Sequence, residues 1–249
     1  METTTDLIDC RDCPLACRPG LTPIEPDRLA LVEDFKRGEM VLEAGNTLIR
    51  QGQPHDKLYT VLEGVLIRYR ELPGDDGRQI VNFMFPGDLL GLQAVRGDAP
   101  SHGVDTVTAA RLCVFPQDRF NDLIAKEPAF GFDMVWLAAK EERALESHLV
   151  TLGKRRAAER IAYLALFLVE RAYESGYADS KTRLRLPLTQ AQIGDMLGLS
   201  LVHANRSIQQ LRESGLVDWK RGEIVIHDLA ATVEFAEYQS PHISPRPYL

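Results

Sequence analysis

Two groups of residues have the types and spacing that chemistry needs. The first is the set of four cysteines. Three stand together in Cys10-Arg-Asp-Cys13-Pro-Leu-Ala-Cys17, and the fourth, Cys113, lies just before Phe115-Pro116. Thiolates ligate metals and cycle through reversible oxidation states; elsewhere in a reducing compartment they stay as plain thiols. The second group spans residues 188–217. Thr189 is a natural N-cap, and Gln192 three residues on completes a capping box. Gly198 suits a tight turn, and Ser200 is placed to cap a second helix. In that helix Leu201, Ala204, Ile208 and Leu211 are expected to face inward. Val202, His203, Asn205, Arg206 and Gln209 are left facing out.

This division is the one a helix-turn-helix uses to read double-stranded DNA, with the second helix in the major groove. Arg206 can pair with guanine O6 and N7, Asn205 with adenine or a phosphate, and Val202 can pack on a thymine methyl. Thr189 and Gln190 lie where a helix start meets phosphate. Residues 216–226 alternate as a hairpin turning at Arg221-Gly222, a wing whose basic tip can touch the backbone. Exposed Arg and Asn also occur where helices merely pack. The cap, the turn glycine, the polar outer face and the wing all agree on DNA.

The elements that must position these groups follow from the rest of the 249 residues. Apolar residues make up 45% and charged residues 26%, the profile of a globular protein. The net charge of −7 weighs against nucleic acid, yet twelve Lys and Arg fall within residues 154–221, enough for a local basic face. No apolar run is long enough for a membrane span, and the first residues do not read as a signal peptide, so a cytoplasmic protein is expected. Residues 1–26 read as an irregular cysteine-bearing arm, with a short helix at 27–34. Short strands between turns at 73–77 and 85–88 place a β-barrel or jelly roll within 27–127, the last run alternating over 104–114 and ending at Pro116. Residues 128–153 read as one long helix interrupted at Gly153. Its narrow stripe of Phe132, Val135, Trp136, Ala139, Leu145 and Leu149 fits a dimer seam, or packing on its own barrel. Residues 154–240 hold the DNA-binding domain, and the tail 241–249 has no readable structure. The fold class is α+β.

Together these features make the chain resemble the Crp/Fnr superfamily from about Cys10 to Asp228. Glu63-Gly64, Phe85-Pro-Gly-Asp-Leu-Leu-Gly91 and the strand before Pro116 match that family's cyclic-nucleotide-binding-like roll. The resemblance implies a sensor, a long dimerisation helix and a winged helix-turn-helix, a homodimer on a palindromic operator, and RNA polymerase as a further partner. Cyclic-nucleotide members carry a ribose-binding glutamate and an arginine–hydroxyl pair, and the segment 91–103 lacks both. The four cysteines instead resemble the FNR branch, whose members hold a [4Fe-4S] cluster on three N-terminal cysteines and one roll cysteine. That makes Cys10, Cys13, Cys17 and Cys113 the implied ligands, although Cys13 and Cys17 are closer in sequence than in the familiar pattern. Zinc on the same thiols, thiol oxidation without metal, and haem through His55 or His102 remain open. The usual recognition-helix glutamate is Val202 here, so preference at one base should relax. A β-roll enzyme of cupin type would need clustered histidines and carboxylates; only His55 and His102 lie in the roll, and no enzymatic activity is expected.

Overall fold

The computed structural model describes residues 7–74, 77–94, 97–240 and 245–249. The start of the arm, the tip of the turn at 73–77, two residues of the 91–103 segment and residues 241–244 lie outside it. The arm begins with a single 3₁₀ turn, Cys10–Asp12, in which the Asp9 carboxylate accepts the Arg11 N–H at 2.8 Å. Helix α1 (Pro26–Phe35) starts on proline, whose missing N–H costs nothing at that position, and is one residue longer at each end than expected.

Eight strands follow: β1 (Gly38–Leu42), β2 (Thr47–Ile49), β3 (Lys57–Glu63), β4 (Leu66–Glu71), β5 (Arg78–Met84), β6 (Leu89–Leu90), β7 (Gly103–Thr106) and β8 (Ala110–Pro116). They form two antiparallel sheets, β1-β8-β3-β6 and β2-β7-β4-β5. The expected single run over 104–114 is therefore two strands, one in each sheet. Met40, Val61, Leu66, Leu112 and Val114 fill the space between the sheets. The strand period of two turns the alternate residues of β8, Cys113 and Phe115, the other way. They join Leu15, Leu21, Phe35 and Phe130 in a second apolar cluster beneath the arm.

After α2 (Phe120–Lys126) comes α3 (Pro128–Lys154). It runs through Gly153, where the sequence suggested a break. The helix ends instead where Arg155 and Arg156 adopt extended backbone, and the Arg155 guanidinium donates to the carbonyls of Ala236 at 2.7 Å and Glu237 at 2.8 Å. These bonds hold the turn two residues later than a glycine would. Helix α4 (Ala157–Glu174) is the hub of the C-terminal half. Its Ile161, Leu164, Ala165 and Leu168 are fully buried, in a cluster shared with Phe83 and Phe85 of the roll. Then come β9 (Arg183–Arg185), α5 (Gln190–Leu197), α6 (Leu201–Glu213), β10 (Val217–Lys220), β11 (Glu223–Ile226) and α7 (Leu229–Phe235). The wing has three strands, β10-β11-β9, rather than the hairpin alone. The end of the chain also departs from expectation: Arg246 bridges Leu21, and Arg246, Tyr248 and Leu249 are buried. No helix among the described residues is long and apolar enough to cross a membrane.

Candidate nucleic-acid interface and cysteine site

The helix-turn-helix is held by the local bonds its sequence calls for. Thr189 Oγ1 accepts the Gln192 N–H at 3.1 Å, and Gln192 Oε1 accepts the Thr189 N–H at 2.9 Å. Gly198 ends α5 in the left-handed region at φ 61°, which costs a residue with a Cβ about 1 kcal/mol or more. Ser200 Oγ accepts the His203 N–H at 3.3 Å and starts α6. Ile193, Met196 and Leu197 are buried as expected. In α6 the buried positions are Ala204, Ser207 and Leu211, with Ile208 half-buried. Leu201, expected inside, is 54% exposed. It occupies the first position after the cap, where the helix still stands clear of the core.

The outward row is as read: Val202, His203, Asn205, Arg206 and Gln209 are all exposed, as are Thr189, Gln190 and Ser200. Gln209 donates to Glu213 at 2.8 Å along the helix. At the wing tip Arg221 (φ 51°) and Gly222 (φ 73°) are both left-handed, the backbone of a two-residue hairpin turn, and Arg221 points to solvent. Sequence reasoning missed Gly194: a Cβ there would lie 2.5 Å from the Leu199 carbonyl, so the glycine lets α5 and the turn close on each other. Its spacing from Gly198 was the available signal.

Helix α3 has two apolar faces. Phe130, Met134 and Leu137 are buried against the molecule's own roll. Phe132 (74%), Val135 (66%) and Leu149 (71%) are exposed, Ala139 is exposed, and Trp136 and Leu145 are half-buried. Near its end, the buried His148 meets the Tyr163 hydroxyl at 3.0 Å and Asn82 Oδ1 at 3.3 Å. Asn82 in turn donates to Glu141 at 2.9 Å, tying α3, α4 and β5 together. Burial, with a smaller push from Arg68, holds His148 down to about 4, so it is neutral.

The cysteines divide three to one. Cys113 is buried on the outer face of β8, and Cys10 and Cys13 are half-buried in the arm above it. Burial raises all three thiols, Cys113 to about 12. The Lys36 ammonium opposes this at all three. Lys36 is fixed by the Ile8 carbonyl at 2.8 Å and the fully buried Glu39 carboxylate at 2.6 Å. Cys17 is exposed and lines a surface cleft with Pro14, Arg18, Tyr173 and Asp179. Among the described residues no three His, Cys, Asp or Glu side chains stand in a metal-holding arrangement. Thiols are metal ligands in kind, and Cys10, Cys13 and Cys113 lie on the Lys36 side of the arm; Cys17 is the member left outside. Of the two roll histidines, His102 is buried rather than exposed, held down to about 4 by desolvation and then by Arg68. His55 is half-buried, and burial lowers its pKa from the ordinary value.

A roll on a long helix, leading into a capped helix-turn-helix with a wing, is the architecture of a DNA-binding regulator, and comparison with known proteins agrees. Residues 39–127 match a cyclic nucleotide-binding domain, and residues 159–231 match a Crp-like helix-turn-helix domain. The chain is 30% identical over 223 residues to the transcriptional activator protein Anr of Pseudomonas protegens, covering 88% of each. It is 27% identical over 239 residues to the transcriptional activator protein FnrL of Cereibacter sphaeroides, covering 94% of each. The fold matches that of FixK2 from Bradyrhizobium japonicum with a TM-score of 0.69 at 23% identity, over 81% of this chain and 98% of that one. The chain belongs to the Crp/Fnr family and is a DNA-binding transcription regulator; its relatives are regulators, not enzymes.

Proposed function

We propose that this regulator works in the cytoplasm as a homodimer. It reads a palindromic operator through two copies of α6 and acts on transcription together with RNA polymerase. The observation that carries this reading is the outward row on α6, Val202, His203, Asn205, Arg206 and Gln209, on a helix whose opposite face packs through Ala204, Ser207 and Leu211. Thr189, Gln190, Ser200 and Arg221 hold phosphates at the margins, and Arg206 reads guanine. The exposed face of Phe132, Val135 and Leu149 supplies the seam, with Trp136, Ala139 and Leu145 beside it; an apolar face of this kind marks an interaction surface. Pairing sets the two recognition helices about one DNA turn apart.

The signal we assign is oxygen or redox state, sensed through a [4Fe-4S] cluster held by Cys10, Cys13, Cys17 and Cys113. Such a cluster, when bound, supplies a centre that oxygen or nitric oxide damages. The support is the donor set, the three thiols around Lys36, and relatives whose names include "Anaerobic regulatory protein" and "Fumarate and nitrate reduction regulatory protein". The arm's own part is to carry its thiols against β8, where Cys113 is fixed. A second reading has a specific observation behind it: Cys17 stands apart, which suits a three-thiol site for zinc or reversible oxidation. Anaerobic purification decides between them by absorbance, iron and sulfide content, paired with a gel shift. The cluster reading expects a coloured protein with iron and sulfide in equal amounts, bleached by air and lost in Cys17→Ser. A colourless, iron-free protein that still binds its operator would sink it.

A further inference from the structure

The segment 245–249 occupies a site that nothing so far assigns. Arg246 is 2% exposed. Its guanidinium donates to the Asp88 carboxylate and to the Pro86 carbonyl, both in the turn after β5. Its backbone runs alongside the arm: the Arg246 N–H donates to the Gly20 carbonyl at 3.0 Å, and its carbonyl accepts the Thr22 N–H at 2.8 Å. Tyr248 and Leu249 are 4% and 3% exposed, and they sit in the apolar cluster that holds Leu15, Leu21 and Cys113. The Tyr248 hydroxyl is raised well above its ordinary range, first by burial and then by the nearby Cys13 and the other arm cysteines.

The other side of the arm is pinned separately. Arg18 donates to the Ser175 carbonyl at 2.8 Å and to the Leu62 carbonyl at 3.2 Å, and a Cβ on Gly20 would run into the Glu174 carbonyl. Asp88 also accepts from Arg171 of α4, at 2.8 and 2.9 Å. Loss of Arg246 therefore leaves the Asp88–Arg171 bond between roll and DNA-binding domain in place, and removes only the tail's hold on the arm.

We propose that residues 245–249 are a built-in peptide ligand, an arginine anchor followed by an aromatic and an aliphatic anchor, whose seating between arm and roll sets how accessible the arm's thiols are. The segment packs in the cluster that holds Cys13 and Cys113, while Cys17 stays exposed. It does not rest on which group the thiols hold, nor on DNA binding.

The test is alkylation of the reduced full chain with iodoacetamide, each cysteine followed by peptide mass spectrometry. The comparison is with Arg246→Ala and with a chain ended after Ser240. Cys13 and Cys113 should react about ten-fold or more faster in both, the mark of a local opening, while the exposed Cys17 serves as internal control and changes little. A synthetic peptide of residues 241–249 added to the shortened chain should slow Cys113 again, and the same peptide carrying Arg246→Ala should not. Equal Cys113 rates in the full chain and Arg246→Ala overturn the proposal, as does a peptide that protects equally well without its arginine. If the shortened chain melts at the labelling temperature, full-length Arg246→Gln carries the same comparison, and an unchanged Cys113 rate there overturns it too.

Discussion

Arg206 and Cys113 represent two different ways in which a single residue can matter. Arg206 is exposed, so its loss should leave the fold intact. Arg206→Ala should weaken operator binding by about 1–3 kcal/mol per half-site, roughly five- to 150-fold, with little change on unrelated DNA, as titrated gel shifts would read. Cys113 is buried, and Cys113→Ser should keep the melting transition within a few degrees while abolishing whatever centre the arm holds. His148 provides a pH signature. Its folded-state value near 4 lies below the ordinary 6.5, so the unfolded chain takes up the proton first as pH falls. Its contribution is complete above about 6.5 and is lost on the way down to 4, worth on the order of 3 kcal/mol. The melting temperature of His148→Gln should accordingly fall less steeply across that window. At this scale the sequence was informative where a residue is exposed and chemically marked, as with Arg206. It was uninformative for Ser207, which is buried, and Leu201, which is exposed; both follow from where the cap fixes the start of α6 rather than from polarity.

Among the elements, α3 shows best what periodicity can and cannot tell. Its apolar stripe was legible, but not the fact that the helix has two apolar faces, one spent on its own roll and one left over. Nor could Gly153 be recognised as helical, because the Arg155 bonds to Ala236 and Glu237 that set the true end come from a distant segment. Strand β9 was invisible for a related reason: three residues with one buried leucine are too short to alternate, and only pairing with β11 makes them a strand. The free face of α3 yields the prediction that belongs here. Phe132→Glu with Val135→Glu should give a folded monomer in sedimentation velocity, with operator affinity down by about two orders of magnitude or more as the two half-sites lose their coupling. A dimer that survives both changes would place the seam elsewhere.

For the molecule as a whole, one carboxylate joins the parts. Asp88 binds α4 through Arg171 and the last residues of the sequence through Arg246, and those two guanidiniums, after overcoming burial, hold its carboxyl far below the usual range. Asp88→Asn should cost about 3–5 kcal/mol in urea unfolding, because two buried cations would lose their shared partner. Acid should not remove this contribution until pH falls below the ordinary carboxylate value. The Phe85-Pro-Gly-Asp88 turn was legible in the sequence as a family feature; its partner 158 residues later was not, since no local pattern announces it. That separation has a consequence for how the protein is made. At roughly 5–20 residues per second, a ribosome needs on the order of ten to thirty seconds to travel from Asp88 to Arg246. The roll and its arm emerge first and wait through that interval without the Arg246, Tyr248 and Leu249 side chains. Any inorganic centre can be installed on the nascent chain before translation delivers the residues that close over it.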